Sequence, residues 1–153
     1  MPETDCGFSD TPEGVSGSYL LAALGPTIRV NIGFDKAWRA GLSVTPAPAI
    51  ENVDALVDTG AAVSFIDDFL AVSLKLPCID KEQPIAGSAG RHLAKMYLAQ
   101  IYVPSLNWTI YGSFAGVQLQ AGGQSHKALL GRTFLQSFKL VYEGKTGKVT
   151  LTT

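Results

Sequence analysis

Alternating apolar and polar positions are the dominant pattern along the chain, and they predict β-strands. Between residues 27 and 33 every second residue is apolar, which places Ile28, Val30 and Ile32 on one face of a strand. The same reasoning predicts further strands at residues 53–57, 93–103, 108–114, 116–120, 138–142 and 148–152. The predicted fold class is therefore mostly β.

Helical patterns are few and short. Residues 133–137, which follow a glycine, predict one or two helical turns near the C-terminus. Residues 65–76 fit two alternatives, because Asp67 could cap a short helix while the later apolar positions alternate as in a strand. Residues 34–49 contain Gly and Pro among mixed residues and predict a long connection.

The N-terminal segment differs from the rest in composition. Residues 1–18 mix Gly, Ser, Pro, Thr, Asp and Glu with little periodicity, which predicts a flexible arm. The length of 153 residues is usual for one domain, which we expect over residues 19–153. The first residues are acidic and the first apolar run is short, so no export signal is expected, and this slightly favours the cytoplasm. Cys6 and Cys78 match no metal or redox spacing and predict two free thiols.

Charge excludes some classes of partner. Twelve Lys and Arg residues balance thirteen Asp and Glu residues, for a net charge of -1, and like charges do not cluster. Binding to nucleic acid or to an anionic membrane is therefore not expected. Residues 96–126 lack charged side chains, but Gln, Asn, Pro and Gly interrupt them too often for a membrane span.

The segment most informative about chemistry spans residues 55–66. An apolar strand ends there at Asp58, which is followed by Thr59, Gly60 and Ala61. A carboxylate in a tight, apolar loop costs free energy unless it shares a proton or accepts hydrogen bonds. Two interpretations follow from this segment: a reactive carboxylate, or a strand-ending Asp that accepts hydrogen bonds from the next backbone amides.

A second segment, Ala-Leu-Leu-Gly-Arg-Thr-Phe-Leu at residues 128–135, leads into the predicted short helix. With the Asp-Thr-Gly-Ala loop and a glycine-tipped hairpin between them, the two segments resemble the retropepsin-like aspartic proteases, the single-domain family that includes the retroviral proteases. The resemblance covers residues 25–152. It implies a closed retropepsin-like β-barrel or sandwich with one short helix near the C-terminus and a flap hairpin.

The resemblance also implies roles for individual residues. Asp58 would be the catalytic aspartate, the Thr59 hydroxyl would lock two active-site loops together, and Gly60 and Ala61 would complete the loop beside the substrate backbone. Since the chain contains one Asp-Thr-Gly, the second aspartate would be Asp58 of another copy. The implied protein is a homodimeric aspartic endopeptidase acting on peptide or protein substrates, with no metal and no cofactor.

The flap of such an enzyme would span residues 84–96. Glycines at its tip permit positive φ and leave backbone amides accessible to substrate. The residues expected at the flap or in contact with substrate are Ile85, Gly87, Ser88, Gly90 and Leu129. For Ile85 and Leu129 a second interpretation stays open, since at this spacing either could belong to the core.

Gly131 and Arg132 would be structural residues, but one position departs from the family pattern. Many retroviral members have an Asp four residues after the catalytic one, paired with this Arg, and here that position is Ala62. Arg132 therefore needs another partner, either a backbone carbonyl or an acidic residue such as Asp67. The N-terminal segment is also extra, which puts the four-stranded terminal sheet of viral dimers in doubt.

Two other functions compete with catalysis. The first is a non-catalytic member of the same fold that serves as a dimerisation or peptide-binding module. The second is a β-domain whose Asp-Thr-Gly is accidental. An intact Asp58 favours catalysis over a binding module, because a module has no need to keep a costly pair of carboxylates at a two-fold axis.

Overall fold

The computed structural model describes residues 2–87 and 90–153. In chain order its elements are β1 (Glu3–Asp5), α1 (Gly17–Leu24), β2 (Thr27–Gly33), β3 (Ile50–Val57), β4 (Phe65–Asp67), α2 (Asp68–Ser73), β5 (Cys78–Gly87), β6 (Gly90–Val103), a 3-10 turn (Pro104–Leu106), β7 (Trp108–Val117), β8 (Ala128–Leu130), α3 (Arg132–Leu135), β9 (Lys139–Glu143) and β10 (Lys148–Thr152).

Six strands close into a barrel. They are hydrogen-bonded in the order β2-β3-β8-β4-β7-β6, and a further pairing between β2 and β6 completes the ring. The β3–β8 and β4–β7 pairs are parallel, and the other pairs of the ring are antiparallel. A register shift between Val30 and Ile32 bends β2, and the strand pairs with β3 along its length and with β6 at its end. The predicted mostly β fold class with a closed barrel is confirmed.

The barrel interior contains the side chains that the alternation pointed inward. Ile28, Val30 and Ile32 are all buried, and Ile32 pairs with the fully buried Ile101 across β2 and β6. Full burial of one such side chain stabilises the fold by about 1.5–3 kcal/mol. The predicted inward face of this strand is therefore confirmed.

The N-terminal residues are part of the fold, unlike the flexible arm expected over residues 1–18. β1 pairs with β10, and Cys6 is completely buried. Beyond β1 the backbone continues the ladder, since Cys6 N donates to Val149 O at 2.8 Å and Phe8 N donates to Gly147 O at 2.8 Å. The amino-acid composition of residues 1–18 does not reveal this pairing, because the partner strand β10 lies at the opposite end of the chain. The folded domain accordingly includes residues 2–18.

Three short helices are present in the described part of the chain, where one was expected. The predicted C-terminal helix is α3, and α1 was not predicted. Residues 65–76 combine both alternatives, because β4 ends at Asp67 and this residue caps α2 by accepting a hydrogen bond from Leu70 N at 3.1 Å. Where two strands were expected at 108–114 and 116–120, one strand, β7, runs from Trp108 to Val117, and residues 118–120 lie outside it. Across the described residues, no helix is long and apolar enough to cross a membrane.

Candidate active site

Asp58 lies at the point where two parallel strands of the barrel end. It follows β3 directly, and its backbone N donates to the carbonyl oxygen of Leu130, the last residue of β8, at 2.9 Å. The strand residue before it, Val57, is buried, whereas Asp58 itself is half-buried. The barrel thus holds the backbone of this residue while its side chain reaches the surface.

The residues after it form a tight turn, here named the Asp58 loop (residues 58–64). One carboxylate oxygen, Oδ1, accepts a hydrogen bond from Gly60 N at 2.9 Å, and Ala61 N donates to the carbonyl of Asp58 at 3.3 Å. A Cβ at Gly60 would stand 3.1 Å from that Oδ1, so a side chain there would press on the carboxylate. Glycine therefore leaves this carboxylate oxygen uncrowded. Among the described residues, Oδ2 has no hydrogen-bond donor, so one oxygen stays available for chemistry.

The segment from Gly131 to Thr133 docks against the Asp58 loop through its backbone. Arg132 N donates to Ala61 O at 2.9 Å, and Thr133 N donates to Ala62 O at 3.1 Å. These two donors lie in the first turn of α3, where helix N–H groups lack partners within the helix. Carbonyl groups of the Asp58 loop thus accept hydrogen bonds from the N–H groups at the start of α3. These bonds join the two sequence segments into one structural unit.

Gly131 is required by close packing at this junction. A Cβ at this position would collide with the carbonyl oxygens of Val63 and Ala61. Its φ of -89° is accessible to any residue, so space and not backbone conformation selects glycine here. The structural role predicted for Gly131 has this contact as its physical basis.

The guanidinium of Arg132 binds the Asp58 loop directly. Its Nη1 donates to the carbonyl oxygen of Thr59 at 2.8 Å, so the first of the two alternatives, a backbone carbonyl, is the one adopted. Asp67 is committed elsewhere, since it is fully buried and accepts hydrogen bonds from the backbone.

Sequence reasoning missed Ser64. Its side chain is buried, and its Oγ accepts a hydrogen bond from Gly131 N at 3.1 Å. This bond ties the end of the Asp58 loop to the start of α3. The sequence did contain a signal, because Ser64 stands between the apolar residues Val63 and Phe65. A hydroxyl group that is buried in such a segment needs a hydrogen-bond partner.

Beside Asp58 lies an open groove of about 710 Å³. One wall is the Asp58 loop with Arg132, and the other includes Pro84 and Ile85 of β5. Ile85 and Leu129 are half-buried and line the groove, so neither is a plain core residue. A carboxylate and apolar side chains therefore face a space large enough for several side chains of a bound ligand.

The predicted flap corresponds to the hairpin of β5 and β6. Gly87 pairs with Gly90 at the end of this hairpin. Ser88, also predicted at the tip, lies outside the described residues. The hairpin extends from the barrel, because β5 pairs only with β6 within the part of the chain that the structure describes. Pro84 and Ile85 of this hairpin line the groove, and its role as a flap stays a prediction.

The outer side of the Asp58 loop faces solvent. Thr59, Gly60, Ala62 and Val63 are exposed, and the Thr59 side chain makes no hydrogen bond within the described residues. The predicted role of its hydroxyl, locking two such loops together, needs a second copy of the chain. A single chain therefore leaves this surface uncovered.

The side chains of Cys6 and His126 do not line the groove. Burial raises the pKa of the Cys6 thiol to about 12, so this group stays protonated. His126 is buried and its Nε2 lies 2.9 Å from Thr27 Oγ1, and burial lowers its pKa. Over residues 2–87 and 90–153, no group of three or more His, Cys, Asp or Glu side chains is placed to hold a metal ion.

Comparisons with known proteins give structural likenesses. No protein-family model matches the chain, and no curated protein matches it. A solved structure, the EIAV protease complexed with the inhibitor HBY-793, aligns with a TM-score of 0.47 and 19% sequence identity. The alignment covers 73% of this chain and 86% of that one. The function proposed below rests on the residues of the groove.

Proposed function

We propose that this chain is a homodimeric aspartic endopeptidase in which two copies of Asp58 activate one water molecule. The observation that carries the proposal is the position of Asp58: a half-buried carboxylate on the wall of an open groove, with one oxygen that accepts no hydrogen bond from the described residues. The loop that bears it is held to Gly131, Arg132 and Thr133 through backbone groups and through the side chains of Ser64 and Arg132. Such rigid support is what a preorganised catalytic group requires.

The need for a second copy follows from the chemistry. Hydrolysis by this mechanism uses two carboxylates that share one proton, at a separation of about 3 Å. Among the described residues, Asp58 is the one acidic side chain that lines the groove. A two-fold axis next to the exposed side of the Asp58 loop would supply the second carboxylate and cover Thr59 at the same time.

In the proposed reaction the ionised Asp58 removes a proton from water, and the water oxygen attacks the carbonyl carbon of the scissile peptide bond. The protonated Asp58 of the other copy donates its proton to the carbonyl oxygen, giving a neutral tetrahedral diol. Proton transfer to the amide nitrogen then accompanies cleavage of the C–N bond, and the products are a carboxylic acid and an amine. The two Asp58 side chains together carry one proton at the end of the reaction, as they did at its start.

The groove favours an extended peptide with apolar side chains. Phe65, Ile85 and Leu129 supply apolar contact area on the walls, next to Asp58. The β5–β6 hairpin would add backbone hydrogen bonds to the peptide from above. Burial of apolar side chains on either side of the scissile bond would provide binding free energy at this site.

Cleavage of a mixed peptide library at pH 3 to 8 tests the proposal. Asp58→Asn keeps the size of the side chain and an oxygen for the Gly60 N–H, but it removes the charge. Asp54→Asn is the matched control, since Asp54 lies in β3, the strand that leads to Asp58, pairs with Arg29 at 2.9 Å and does not line the groove. We expect activity in wild type and Asp54→Asn, loss in Asp58→Asn, and inhibition by a statine-type mimic of the diol.

The pH profile adds a second criterion. Because the active pair carries one shared proton, the rate should fall on both the acid and the alkaline side of an optimum. A rate that rises continuously up to pH 9 would contradict a shared proton. A dimer that binds library peptides but cleaves none at any pH would instead support the non-catalytic peptide-binding module.

A further inference from the structure

The long connection between β2 and β3, residues 34–49, folds back onto β6 and β7 and forms an open pocket there. The pocket, named here the Trp38 pocket, measures about 290 Å³. Its walls include Phe34, Trp38 and Arg39 from the connection and Leu98, Tyr111 and Gly112 from the two strands. It shares no lining residue with the groove beside Asp58. The Trp38 pocket is therefore a separate feature of the surface.

Hydrogen bonds hold the connection in place at three points. The buried side-chain amide of Gln100 accepts from Asp35 N at 2.7 Å and donates to Asp35 O at 3.1 Å. Both oxygens of the Asp35 carboxylate accept hydrogen bonds from backbone N–H groups of the connection, at 3.0 and 2.9 Å. The Trp38 indole Nε1 donates to Val44 O at 2.9 Å. Because these bonds order the walls in advance, a ligand loses less free energy in binding.

The walls of the Trp38 pocket are aromatic and accessible. Trp38 and Tyr111 meet edge to face at a centroid distance of 5.3 Å, and Tyr111 is 58% exposed. Leu42 and Val44 of the connection are more than half exposed as well. A Cβ at Gly112 would meet no atom within 4 Å, so the space beside it is open. Exposed apolar patches mark interaction sites, and a cavity of about 150 Å³ already accepts benzene. The pocket can therefore accept one aromatic side chain.

The charged groups of the pocket are mainly cationic. Lys36 and Arg39 both line it and are exposed, and in the part of the chain that the structure describes neither makes an ion pair. The Arg39 guanidinium is oriented by Nη1, which donates to Lys36 O at 2.7 Å and to Trp38 O at 2.9 Å. Asp35 also lines the pocket, with both carboxylate oxygens on backbone donors. Residues 96–126, which supply the opposite wall, contain no Lys, Arg, Asp or Glu. One positive charge is therefore in excess beside the aromatic rings.

This combination of groups distinguishes between possible ligands. The rings alone would attract a cation, but Lys36 and Arg39 repel it. A single-stranded nucleic acid stacks its bases on aromatic rings, but it also needs a positively charged groove along its backbone. Two cations on a protein of net charge -1 do not form such a groove. An acidic peptide with an aromatic residue meets both requirements, since its ring fills the pocket and its carboxylates pair with Lys36 and Arg39.

We propose that the Trp38 pocket docks an acidic segment of a partner protein, with one aromatic side chain in the pocket and carboxylates beside Lys36 and Arg39. The docking does not depend on the proposed function, because binding is measured without cleavage. It gives the chain an interaction surface apart from the groove beside Asp58.

The fluorescence of Trp38 tests the docking directly. The chain contains two tryptophans, Trp38 and Trp108, so Trp108→Phe leaves Trp38 as the reporter. The probe is the peptide Glu-Asp-Phe-Asp-Glu, which should change the Trp38 emission in a saturable manner. The peptides Glu-Asp-Ala-Asp-Glu and Lys-Arg-Phe-Arg-Lys should bind at least about tenfold more weakly. In about 1 M salt binding of the acidic probe should weaken, because screening reduces the attraction.

Variants of the wild-type chain locate the binding site in an anisotropy assay with the dye-labelled acidic peptide. Lys36→Glu replaces an attraction by a repulsion and should raise the dissociation constant about fivefold or more. Tyr111→Ala removes the exposed ring and should raise it about tenfold, whereas Tyr111→Phe keeps the ring and should bind like wild type. Lys145→Glu makes the same charge change in the exposed turn after β9, outside the pocket, and should have no effect. Urea unfolding of each variant checks that the fold is retained.

Three results would overturn the proposed docking: no binding of the acidic peptide to wild type, equal binding to wild type and Lys36→Glu, or tighter binding of a short oligothymidylate than of the peptide. A statine-type mimic separates the two sites, since the peptide should bind equally with and without it and equally to Asp58→Asn. Displacement of the peptide by the mimic would place it in the groove and also overturn the docking. A chain that binds the peptide at the Trp38 pocket and cleaves no substrate would keep this surface and refute the endopeptidase.

Discussion

Replacement of Asp67 should show how strongly one buried carboxylate holds the barrel to the elements around it. This side chain is fully buried, and its two oxygens accept three backbone hydrogen bonds. Oδ2 accepts from Leu70 N at 3.1 Å, at the start of α2, and Oδ1 accepts from Leu119 N at 3.1 Å and Gln120 N at 3.0 Å, after β7. Three donors compensate for the burial of the charge.

The magnitudes follow from the number of donors left without a partner. Asp67→Asn keeps one side-chain oxygen, but its NH₂ group then faces at least one of the backbone N–H groups. If that N–H group is the one at the start of α2, loss of the helix cap costs about 1 kcal/mol. The remaining bonds lose their charge-assisted part, which brings the total to about 2 kcal/mol. Asp67→Ala leaves all three donors unpaired at about 1–3 kcal/mol each, so we expect a loss of about 4 kcal/mol.

Urea unfolding followed by tryptophan fluorescence measures both losses, provided that the slope with denaturant stays constant. Asp68→Asn is the control, because its neighbouring half-buried carboxylate accepts one bond, from the Tyr97 hydroxyl at 2.7 Å, and an amide oxygen can still accept it. We expect a change below about 1 kcal/mol for this variant. If Asp67→Asn were no less stable than Asp68→Asn, the reasoning from backbone donors would be refuted.

Three other outcomes are expected. Gly131→Ala should abolish cleavage and lower stability by about 3 kcal/mol, because its Cβ would collide with two carbonyls of the Asp58 loop; retained activity would contradict this packing. Burial lowers the pKa of His126, so the unfolded state binds its proton more readily, and the stability present above about pH 6.5 should be lost as pH falls. His126→Gln should flatten this acid dependence in urea titrations at pH 7.5 and 5. A thiol reagent should modify exposed Cys78 in the native protein and Cys6 only after unfolding, since burial raises the pKa of Cys6 to about 12; equal labelling in the native state would count against this.

Local patterns were sufficient for much of the fold. The alternation at Ile28, Val30 and Ile32 identified a buried strand face, because the period of side chains along a strand depends only on the backbone of that strand. The closing hairpin of β9 and β10 was predicted within about one residue for a similar reason, since its turn and both strands are adjacent in sequence. Gly60 and Gly131 were selected from short motifs, and at Gly131 a Cβ would collide with backbone carbonyl oxygens of the Asp58 loop.

Long-range pairing was beyond those patterns. Residues 1–18 carry the composition of a loose segment, yet β1 and Cys6 are held by β10, at the other end of the chain. The partner of Arg132 was likewise open between a carbonyl and Asp67, and the fold decided it by burying Asp67 under three backbone donors of its own. Such choices depend on which donors and acceptors are left unpaired after the barrel closes.

The sequence by itself determined the class of fold, the strand faces and the residue types of the candidate site, because these follow from local periodicity and from chemistry carried by a few side chains. Tertiary structure alone decided the closure of the barrel through β2 and β6, and the docking of α3 on the Asp58 loop. It also left β9 at an open edge. The physical reason is that a hydrogen-bond ladder joins backbone groups, which are the same in every residue, so its partners are selected by the packing of the whole chain.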